Sequence, residues 1–392
     1  MRLIALIVAT ILLFWILVTA AARVAVTEAV KAPWPGGLGV IREVPKRYPM
    51  RKTTAEAKAF VQLASAAGVQ LGGRGEEVTV DLMSKELQKQ LLDYVLAQMQ
   101  KPDDGVDVPP PELAAFLAER RPAIASIVRF INGMASRIDW SEDVYADNPP
   151  TPSASGHSLL ARIIAADALL RGRDGDAAAW EDIRALEALA RPMWRRGEPW
   201  NISVALSISR LANGAARKLP PPLPAWWREV DEFDARHALL AANQARTWSW
   251  WYWTETHWRK NGVPAVIFSA YLDASVADFL NRGRTTAEEF AAMRNCGVDA
   301  DAITRRAEIA RWSMLRTFGP GPNGVDEQRV RVYDFERDAT ARVFAIKEHR
   351  PLPTTSRCAD GTWSHANGVL QFSAPIPLKP PGKPAVPRTL RY

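Results

Sequence analysis

The pattern of apolar positions begins with an unbroken run at residues 3–22, which Arg2 precedes and Arg23 follows. About 20 apolar residues are enough to cross the hydrocarbon core of a bilayer as a helix. Thr10 and Thr19 are the only polar side chains in the run, and each hydroxyl can donate to a carbonyl of its own helix. The sequence therefore predicts a transmembrane signal anchor over residues 1–23.

A cleaved signal peptide is the alternative for this segment. The small residues at 20–22 suit a signal peptidase, and Arg2 supplies a minimal basic start. Against cleavage, the run is longer than the usual apolar region of about 7 to 15 residues, and the bulky Phe14 and Trp15 lie near the expected cleavage zone. We expect a retained anchor, and with either alternative we expect the rest of the chain to be exported.

The orientation in the membrane is less well determined by the sequence. Arg23, Lys31 and Arg42 follow the apolar run, whereas only the α-amino group and Arg2 precede it, which by the positive-inside rule favours a cytoplasmic C-terminus. Long domains, however, translocate largely regardless of charge. We predict a single-pass protein of a bacterial inner membrane, attached through residues 3–22, with its body facing the periplasm or the exterior.

Beyond the anchor, breaks in the helical pattern divide the chain into three parts. Proline and glycine at 33–37, with Pro45 and Pro49, predict a basic Pro/Gly stalk over residues 24–52. Residues 53–350 follow a helical period and form one predicted helical domain. The helices are expected at 53 to 68 or 72, 82–100, 111–135 with a kink or break at Pro122, 158–171, 177–194, 202–219, 225–248, 264–281, 285–296, 299–317 and 327–348.

One helical hairpin within this domain carries a resemblance to a known repeat. A turn glycine, Gly175, and Asp176 are followed by small and large packing residues and a closing proline, namely Ala179, Ile183, Leu186 and Pro192. This segment resembles the second helix of a tetratricopeptide repeat over about twenty residues, and no period of about 34 residues recurs along the chain. The resemblance implies antiparallel helix pairs, and we expect a mainly α fold of helical hairpins packed as a bundle or irregular α-solenoid.

The C-terminal part, residues 351–392, has a different character. Short β-like pieces appear in it, with one strand expected at 369–372. Six prolines among basic residues follow, which favours extended or disordered chain. We therefore expect an extended, Pro-rich basic tail.

Charge and cysteine content narrow the function classes. The net charge of +7 comes from the two ends, because the middle of the chain is mildly acidic. This distribution speaks against nucleic acid as a partner, since a binding body would carry its basic face on folded structure. Basic flanks suit anionic lipid head groups, although solvated linkers would carry such charge equally well. The two cysteines, Cys296 and Cys358, could form one disulfide in an oxidising compartment or remain free thiols.

The densest unusual feature is the aromatic segment at residues 248–258. On a helix, Trp250, Trp253 and His257 share one face while Trp251 and Trp258 lie on another, so no single buried stripe holds all of them. The indoles could form a wide core between helices, a platform for sugar rings, or a belt at the membrane interface. As a candidate ligand groove we select Trp250, Trp253, Glu255, His257 and Trp258.

A polar connector at residues 139–155 offers the best candidates for paired carboxylates. Asp139, Glu142 and Asp143 lie in it beside the rings of Trp140 and Tyr145. A glycosidase needs only two carboxylates on opposite sides of a cleft. The plainer alternative is a solvated acidic loop.

Other chemistry has no support in the sequence. The five histidines never occur three or four residues apart, so we predict no metal. The serines at 153–158 lack the Gly-x-Ser-x-Gly elbow of a nucleophile, and we expect Ser155 or Ser158 to cap a helix instead. No glycine loop fits a phosphate, so no cofactor is expected either.

These observations favour a membrane-anchored envelope protein with a helical protein-interaction or scaffold body, other envelope proteins as partners, and no defensible catalytic activity. The alternative is a glycan-binding or glycan-cleaving envelope protein that uses the 248–258 aromatic cluster and the acidic connector. A scaffold needs an exposed apolar patch or groove. A glycan protein needs carboxylates that face an aromatic-walled cleft.

Overall fold

The computed structural model describes residues 2–72, 83–146, 152–258, 269–293, 296, 313, 324–373 and 388–392. The described chain is mainly helical, as the sequence predicts. Its twelve α-helices are α1 (Arg2–Lys31), α2 (Val44–Arg47), α3 (Ala55–Ala66), α4 (Lys85–Gln100), α5 (Pro111–Met134), α6 (Ala154–Arg173), α7 (Ala179–Trp194), α8 (Pro199–Ala216), α9 (Trp227–Glu232), α10 (Ala235–Trp253), α11 (Ser269–Ala292) and α12 (Gly324–Lys347). The strands are β1 (Pro33–Trp34), β2 (Gly39–Val40), β3 (Thr362–Ala366), β4 (Val369–Ser373) and β5 (Thr389–Arg391).

Helix α1 contains the predicted membrane span. Its apolar side chains from Leu3 to Val18 are exposed, and among the described helices it alone is long and apolar enough to cross a membrane. The Thr10 hydroxyl donates to the carbonyl of Leu6, 2.8 Å away, so it is satisfied within the helix. The helix does not end at Arg23 but continues for two more turns to Lys31.

The segment expected to be a stalk, residues 24–52, is instead folded against the helical body. Val26 and Val30 at the end of α1 are buried against α11, and Trp34 is buried in the β1–β2 hairpin. The glycines that suggested flexibility serve a tight turn: Gly36 and Gly37 have φ angles of 73° and 72°, which an L side chain rarely adopts. Apolar residues between the Pro/Gly breaks then pack into the core, namely Leu38, Ile41, Val44 and Tyr48.

The centre of the body is a layer of three helices. Helices α6 and α7 form the predicted hairpin, joined by a turn in which Gly175 has a φ of 74°. Helix α8 packs on both of them and on α12, while α3, α4 and α5 cover the other sides. Ile163, Leu186 and Ile208 are fully buried there. The mainly α fold is thus confirmed.

Two helix starts follow the predicted capping chemistry, with one shift in position. The sequence Thr-Thr-Ala-Glu at 53–56 predicts a helix cap, and Thr54 caps α3 by accepting from the Ala57 amide. Helix α6 begins at Ala154, earlier than expected, because Ser153 accepts from the Gly156 amide at 3.0 Å. Ser153 therefore takes the capping role expected of Ser155 or Ser158.

Three helix boundaries differ from the sequence-based expectation. Helix α5 continues through Pro122, which remains inside it. The predicted helix 225–248 is divided into α9 and α10 by Asp234, whose carboxylate caps α10 through the His237 amide at 3.0 Å. The two helices expected at 264–281 and 285–296 are one helix, α11, because Thr286 donates to the Arg282 carbonyl within the helix instead of capping a new one. The predicted helix at 299–317 lies outside the described residues, apart from Ser313.

The C-terminal residues form a small sheet, so they are not simply an extended tail. Strands β3, β4 and β5 are antiparallel in that order, and β4 contains the strand expected at 369–372. Phe372 on β4 packs against Phe335 of α12, with ring centroids 5.0 Å apart. Cys296 and Cys358 form a disulfide with a Cα–Cα distance of 4.9 Å, which covalently joins the sheet region to the chain after α11. The Pro-rich residues 374–387 lie outside the described part.

Candidate functional site

A cleft of about 760 Å³ opens where four parts of the body meet. Its walls are residues 142–146 of the acidic connector, the junction between α7 and α8, the C-terminal end of α10 and the first turn of α12. We call it the aromatic cleft and define it by Glu142, Tyr145, Glu198, Arg246, Trp250, Trp253 and Asp326. Its volume is in the range of small-molecule sites, roughly 300 to 1,000 Å³.

Glu142 is the most constrained carboxylate of the cleft. Its backbone pairs with Arg51 in both directions, at 2.9 and 3.1 Å, and its Oε1 accepts from the Gly197 amide at 2.7 Å. The residue is only 4% exposed, and Oε2 has no hydrogen-bond partner in the described part of the chain. A buried carboxylate oxygen without a partner is costly, so a ligand hydroxyl or a water at this point would relieve the cost.

Arg196 fixes the connector that carries Glu142. Its Nη1 donates to the Trp140 carbonyl at 3.3 Å and its Nη2 to the Ser141 carbonyl at 2.9 Å. The guanidinium is buried, with burial lowering its pKa and the charge of Glu142 opposing that shift. Arg196 therefore joins the α7–α8 junction to the connector and orients the acidic wall.

The opposite wall carries a second charged set. Asp326, in the first turn of α12, accepts from the Ser203 hydroxyl and from Arg329 Nη1, the latter at 3.0 Å. Arg246 of α10 faces the charges of Asp326 and Glu198, yet it makes no hydrogen bond or ion pair with any residue that the structure describes. Burial lowers the pKa of its guanidinium, and those carboxylates raise it. Arg246 thus presents its donors to the cleft.

Glu198 lies just before α8 and also lines the cleft. The indole Nε1 of Trp200 donates to its Oε2. Burial raises the pKa of Glu198, and the hydrogen bond from Trp200 opposes the shift. The carboxyl is therefore more easily protonated than one in water.

The tryptophans of the 248–258 segment divide between core and cleft. Trp248 is 3% exposed and stacks on Tyr252 at 5.0 Å, with Tyr145 edge-on at the same distance. Trp250 and Trp253 are partly buried, line the cleft and meet edge to face at 5.8 Å. The segment thus provides core packing with one face and a cleft wall with another.

The remaining predicted groove residues lie beside the cleft. His257 is exposed and stacks on Trp253 with ring centroids 5.4 Å apart. Glu255 forms an ion pair with Arg23 at 3.0 Å. The backbone of Trp258 ends the π-helical turn Thr254–Trp258, and its side chain lies outside the described part. Of the four predicted groove residues whose side chains the structure describes, Trp250 and Trp253 line the cleft.

The acidic connector is divided in a similar way. Glu142 and Asp143 line the cleft. Asp139 does not line it and instead forms an ion pair with Arg51, with 3.2 Å between the charged atoms. Sequence reasoning missed Arg196, Glu198, Arg246 and Asp326, because a single charged residue on a long helix or at a helix end has no distinctive spacing. The Gly-Glu-Pro turn at 197–199 is the one signal that could have drawn attention to Glu198.

The cleft combines flat aromatic walls with groups that both donate and accept. No group of three His, Cys, Asp or Glu in the described residues is arranged to hold a metal. The charged residues are Glu142, Asp143, Glu198 and Asp326 against Arg196, Arg246 and Arg329. Because acidic groups are not outnumbered, a phosphate-rich ligand is disfavoured, and a neutral ligand rich in hydroxyls can use both signs of charge.

Known proteins offer no further guide to this site. Comparisons of the chain with known protein families, with curated proteins and with solved structures find no match. The function must therefore be inferred from the aromatic cleft itself.

Proposed function

We propose that the chain is a membrane-anchored glycan-binding protein and that the aromatic cleft holds the glycan. The observation that carries the proposal is the meeting of Trp250 and Trp253 with Glu142, Glu198 and Arg246 in one cleft. The aliphatic C–H face of a pyranose ring packs on an indole, while its hydroxyls both donate and accept hydrogen bonds. Carboxylates and a guanidinium around an aromatic floor supply both partners.

Two groups of the cleft are suited to hold hydroxyls. Glu142 Oε2 is buried without a partner in the described chain and can accept a hydrogen bond. The guanidinium of Arg246 has five N–H donors and no hydrogen bond to the described residues. One ligand hydroxyl accepting from Arg246 and another donating to Glu142 would satisfy both.

The exported location is part of the same proposal. Helix α1 is long and apolar enough to cross a membrane. The Cys296–Cys358 disulfide is typical of proteins in an oxidising compartment. The disulfide supports a body in the periplasm or outside the cell, where structural glycans are found.

The described surface gives less support to the scaffold hypothesis. Outside α1, four large apolar side chains are exposed among the described residues, and they are far apart in the sequence: Met50, Val108, Tyr145 and Tyr271. Isolated apolar residues of this kind are normal on a folded surface. Binding of other envelope proteins remains a prediction without a particular surface to carry it.

The test is direct binding of soluble tetrasaccharides to the purified full-length chain in a detergent without a sugar head group. Chitotetraose, cellotetraose and maltotetraose cover different linkages, and isothermal titration measures the affinity. We expect at least one of them to bind with a Kd in the micromolar to millimolar range, and Trp253→Ala and Arg246→Ala to weaken it at least tenfold.

The matched control is Trp226→Ala, because Trp226 is also a partly buried tryptophan but lies on the chain before α9, outside the cleft. This variant should bind within twofold of the wild type. Glycan binding that is absent for all three tetrasaccharides, or equal in all variants, would contradict the proposal. Release of shorter sugars during the titration would add glycan cleavage to the function.

A further inference from the structure

The position of the aromatic cleft relative to α1 has a consequence for its ligand. Helix α1 runs without interruption from the apolar span to Lys31, and its last two turns pack on α11. Val26, Ala29 and Val30 of those turns are buried in the core. No flexible linker therefore separates the membrane span from the body.

Charged contacts fix this junction at the end of the apolar run. Arg23 directly follows that run, and its Nη1 lies 3.0 Å from Glu255 Oε1 and 3.5 Å from Asp273 Oδ1. The carboxylate of Asp273 is buried, with 1% of its side chain exposed. Removing the cation that pairs with a buried carboxylate strongly destabilises a protein, so the junction holds α1, α11 and the turn after α10 in one arrangement.

The same junction places the cleft close to the membrane boundary. Glu255 is two residues after Trp253 and five after Trp250, which corresponds to about 8 Å along a helix. Because Glu255 contacts Arg23, only this ion pair and at most about 8 Å of helix separate the aromatic wall of the cleft from the end of the apolar span. Tyr271 is exposed two residues before Asp273, the residue that contacts Arg23, and tyrosine is enriched at membrane interfaces.

We propose that the cleft takes the sugar head group of a glycolipid lying in the same bilayer as α1. This inference rests on the proposed function, since it names the source of the glycan that the cleft binds. A site held rigidly near the boundary meets a lipid-linked glycan at a high effective concentration. A glycan presented away from the membrane gains nothing from this placement.

The experiment uses the full-length chain in nanodiscs of phosphatidylcholine and phosphatidylglycerol. The tetrasaccharide that binds best in solution is coupled to phosphatidylethanolamine and included in half of the nanodisc preparations. A fluorescently labelled soluble copy of the tetrasaccharide is then titrated, and polarisation gives its apparent Kd. We expect the glycolipid in the same disc to raise that Kd at least tenfold, because it occupies the cleft.

A lifted variant tests whether the position of the cleft is responsible. Eighteen helix-forming Ala, Glu and Lys residues are inserted between Ala22 and Arg23, which raises the body by about 27 Å and keeps its rotational phase over five turns. The glycolipid should then change the apparent Kd less than twofold. The control carries the same insertion in the exposed loop between Asp104 and Gly105, and we expect it to behave as the wild type.

The outcomes separate the two proposals. Failure of the labelled tetrasaccharide to bind in any disc contradicts the proposed function. Binding without competition from the glycolipid in the wild type overturns the inference alone. Equal competition in the lifted variant and the wild type overturns it as well, because the position of the cleft would then not matter.

Discussion

Truncation of two neighbouring tryptophans should separate stability from binding. Trp248 is almost fully buried between Tyr145 and Tyr252, so it removes up to about 250 Å² from water. At about 25 cal/mol per Å² this is worth at most about 6 kcal/mol, and measured losses for Trp→Ala in a core are about 3 to 5 kcal/mol. We expect Trp248→Ala to lower the free energy of unfolding by about 4 kcal/mol.

Trp253 is expected to behave differently because it faces the cleft. It is partly buried, and its ring contacts include Trp250 at 5.8 Å and His257 at 5.4 Å. A ring pair of this kind contributes about 0.5 to 1.5 kcal/mol. Loss of both ring pairs in Trp253→Ala should therefore lower the free energy of unfolding by about 1 to 3 kcal/mol, and the variant should bind the glycan at least tenfold more weakly.

Urea unfolding followed by far-ultraviolet circular dichroism, in a detergent without a sugar head group, gives both stability values. Titration with the best tetrasaccharide on the same samples gives the affinities. Trp250→Ala is informative as an intermediate case, because Trp250 lines the cleft and also packs against the core. The reasoning is refuted if Trp253→Ala destabilises the protein as much as Trp248→Ala, or if it binds the tetrasaccharide like the wild type.

Three further predictions concern the body. Burial raises the pKa of Glu187 to about 7, whereas the pKa of a glutamate in the unfolded chain is about 4.3. Folding therefore takes up a proton at any pH between these two values. The stability of the protein consequently falls as the pH rises from about 4 to about 7. Glu187→Gln should remove up to about 4 kcal/mol of this loss. The dependence of Tm on pH should then become flatter, and an unchanged dependence would refute the prediction. In Gly156→Ala the new Cβ would lie 1.8 Å from the Gln70 carbonyl oxygen, whereas the Cβ of Gly133→Ala would meet nothing within 4 Å. Urea unfolding should therefore show a loss of about 2 to 3 kcal/mol in the free energy of unfolding for Gly156→Ala alone. Equal stability of the two variants would contradict this prediction. Reduction of the disulfide, whose cysteines are 62 residues apart, should lower stability by about 4 kcal/mol in the chain-entropy model, and an unchanged Tm under reductant would argue against the bond.

Local signals accounted for much of the helical fold. The Thr54 cap and the glycine turn at 175 are short-range features, and the structure has both where the sequence predicts them. The boundary errors arose where tertiary packing overrides a local signal. Pro122 remains inside α5 because Ile124 and Ile127 on the same helix are fully buried in the core. Asp234 was overlooked as a cap because the apolar pattern continues on both sides of it.

The folded state of residues 24–52 depends on contacts that a local pattern does not reveal. Proline and glycine are equally compatible with a flexible linker and with tight turns. The turn at residues 41–43 contacts both α1 and α10, and α2 contacts α10, so the side chains of Ile41 and Val44 are fully buried. Arg47 shows the same dependence, since its guanidinium donates to Gln244 of α10 at 2.6 Å.

The cleft itself could be predicted only in its parts. The aromatic segment and the acidic connector were both recognisable as candidates, but about a hundred residues separate them. Their meeting depends on contacts such as the Ser249 hydroxyl donating to the Val144 carbonyl at 3.0 Å. Arg246 lies on α10 with the aromatic segment and Asp326 lies on α12, and each occurs in the sequence as an ordinary charged residue.

The most direct test of the central claim is a crystal structure of the chain with the best tetrasaccharide bound. The account predicts sugar density in the aromatic cleft, with one pyranose face against the indole of Trp250 or Trp253. Its hydroxyls should lie within hydrogen-bond distance of Glu142 Oε2 and of the Arg246 guanidinium. A tetrasaccharide bound elsewhere on the chain, with the aromatic cleft empty, would contradict the account.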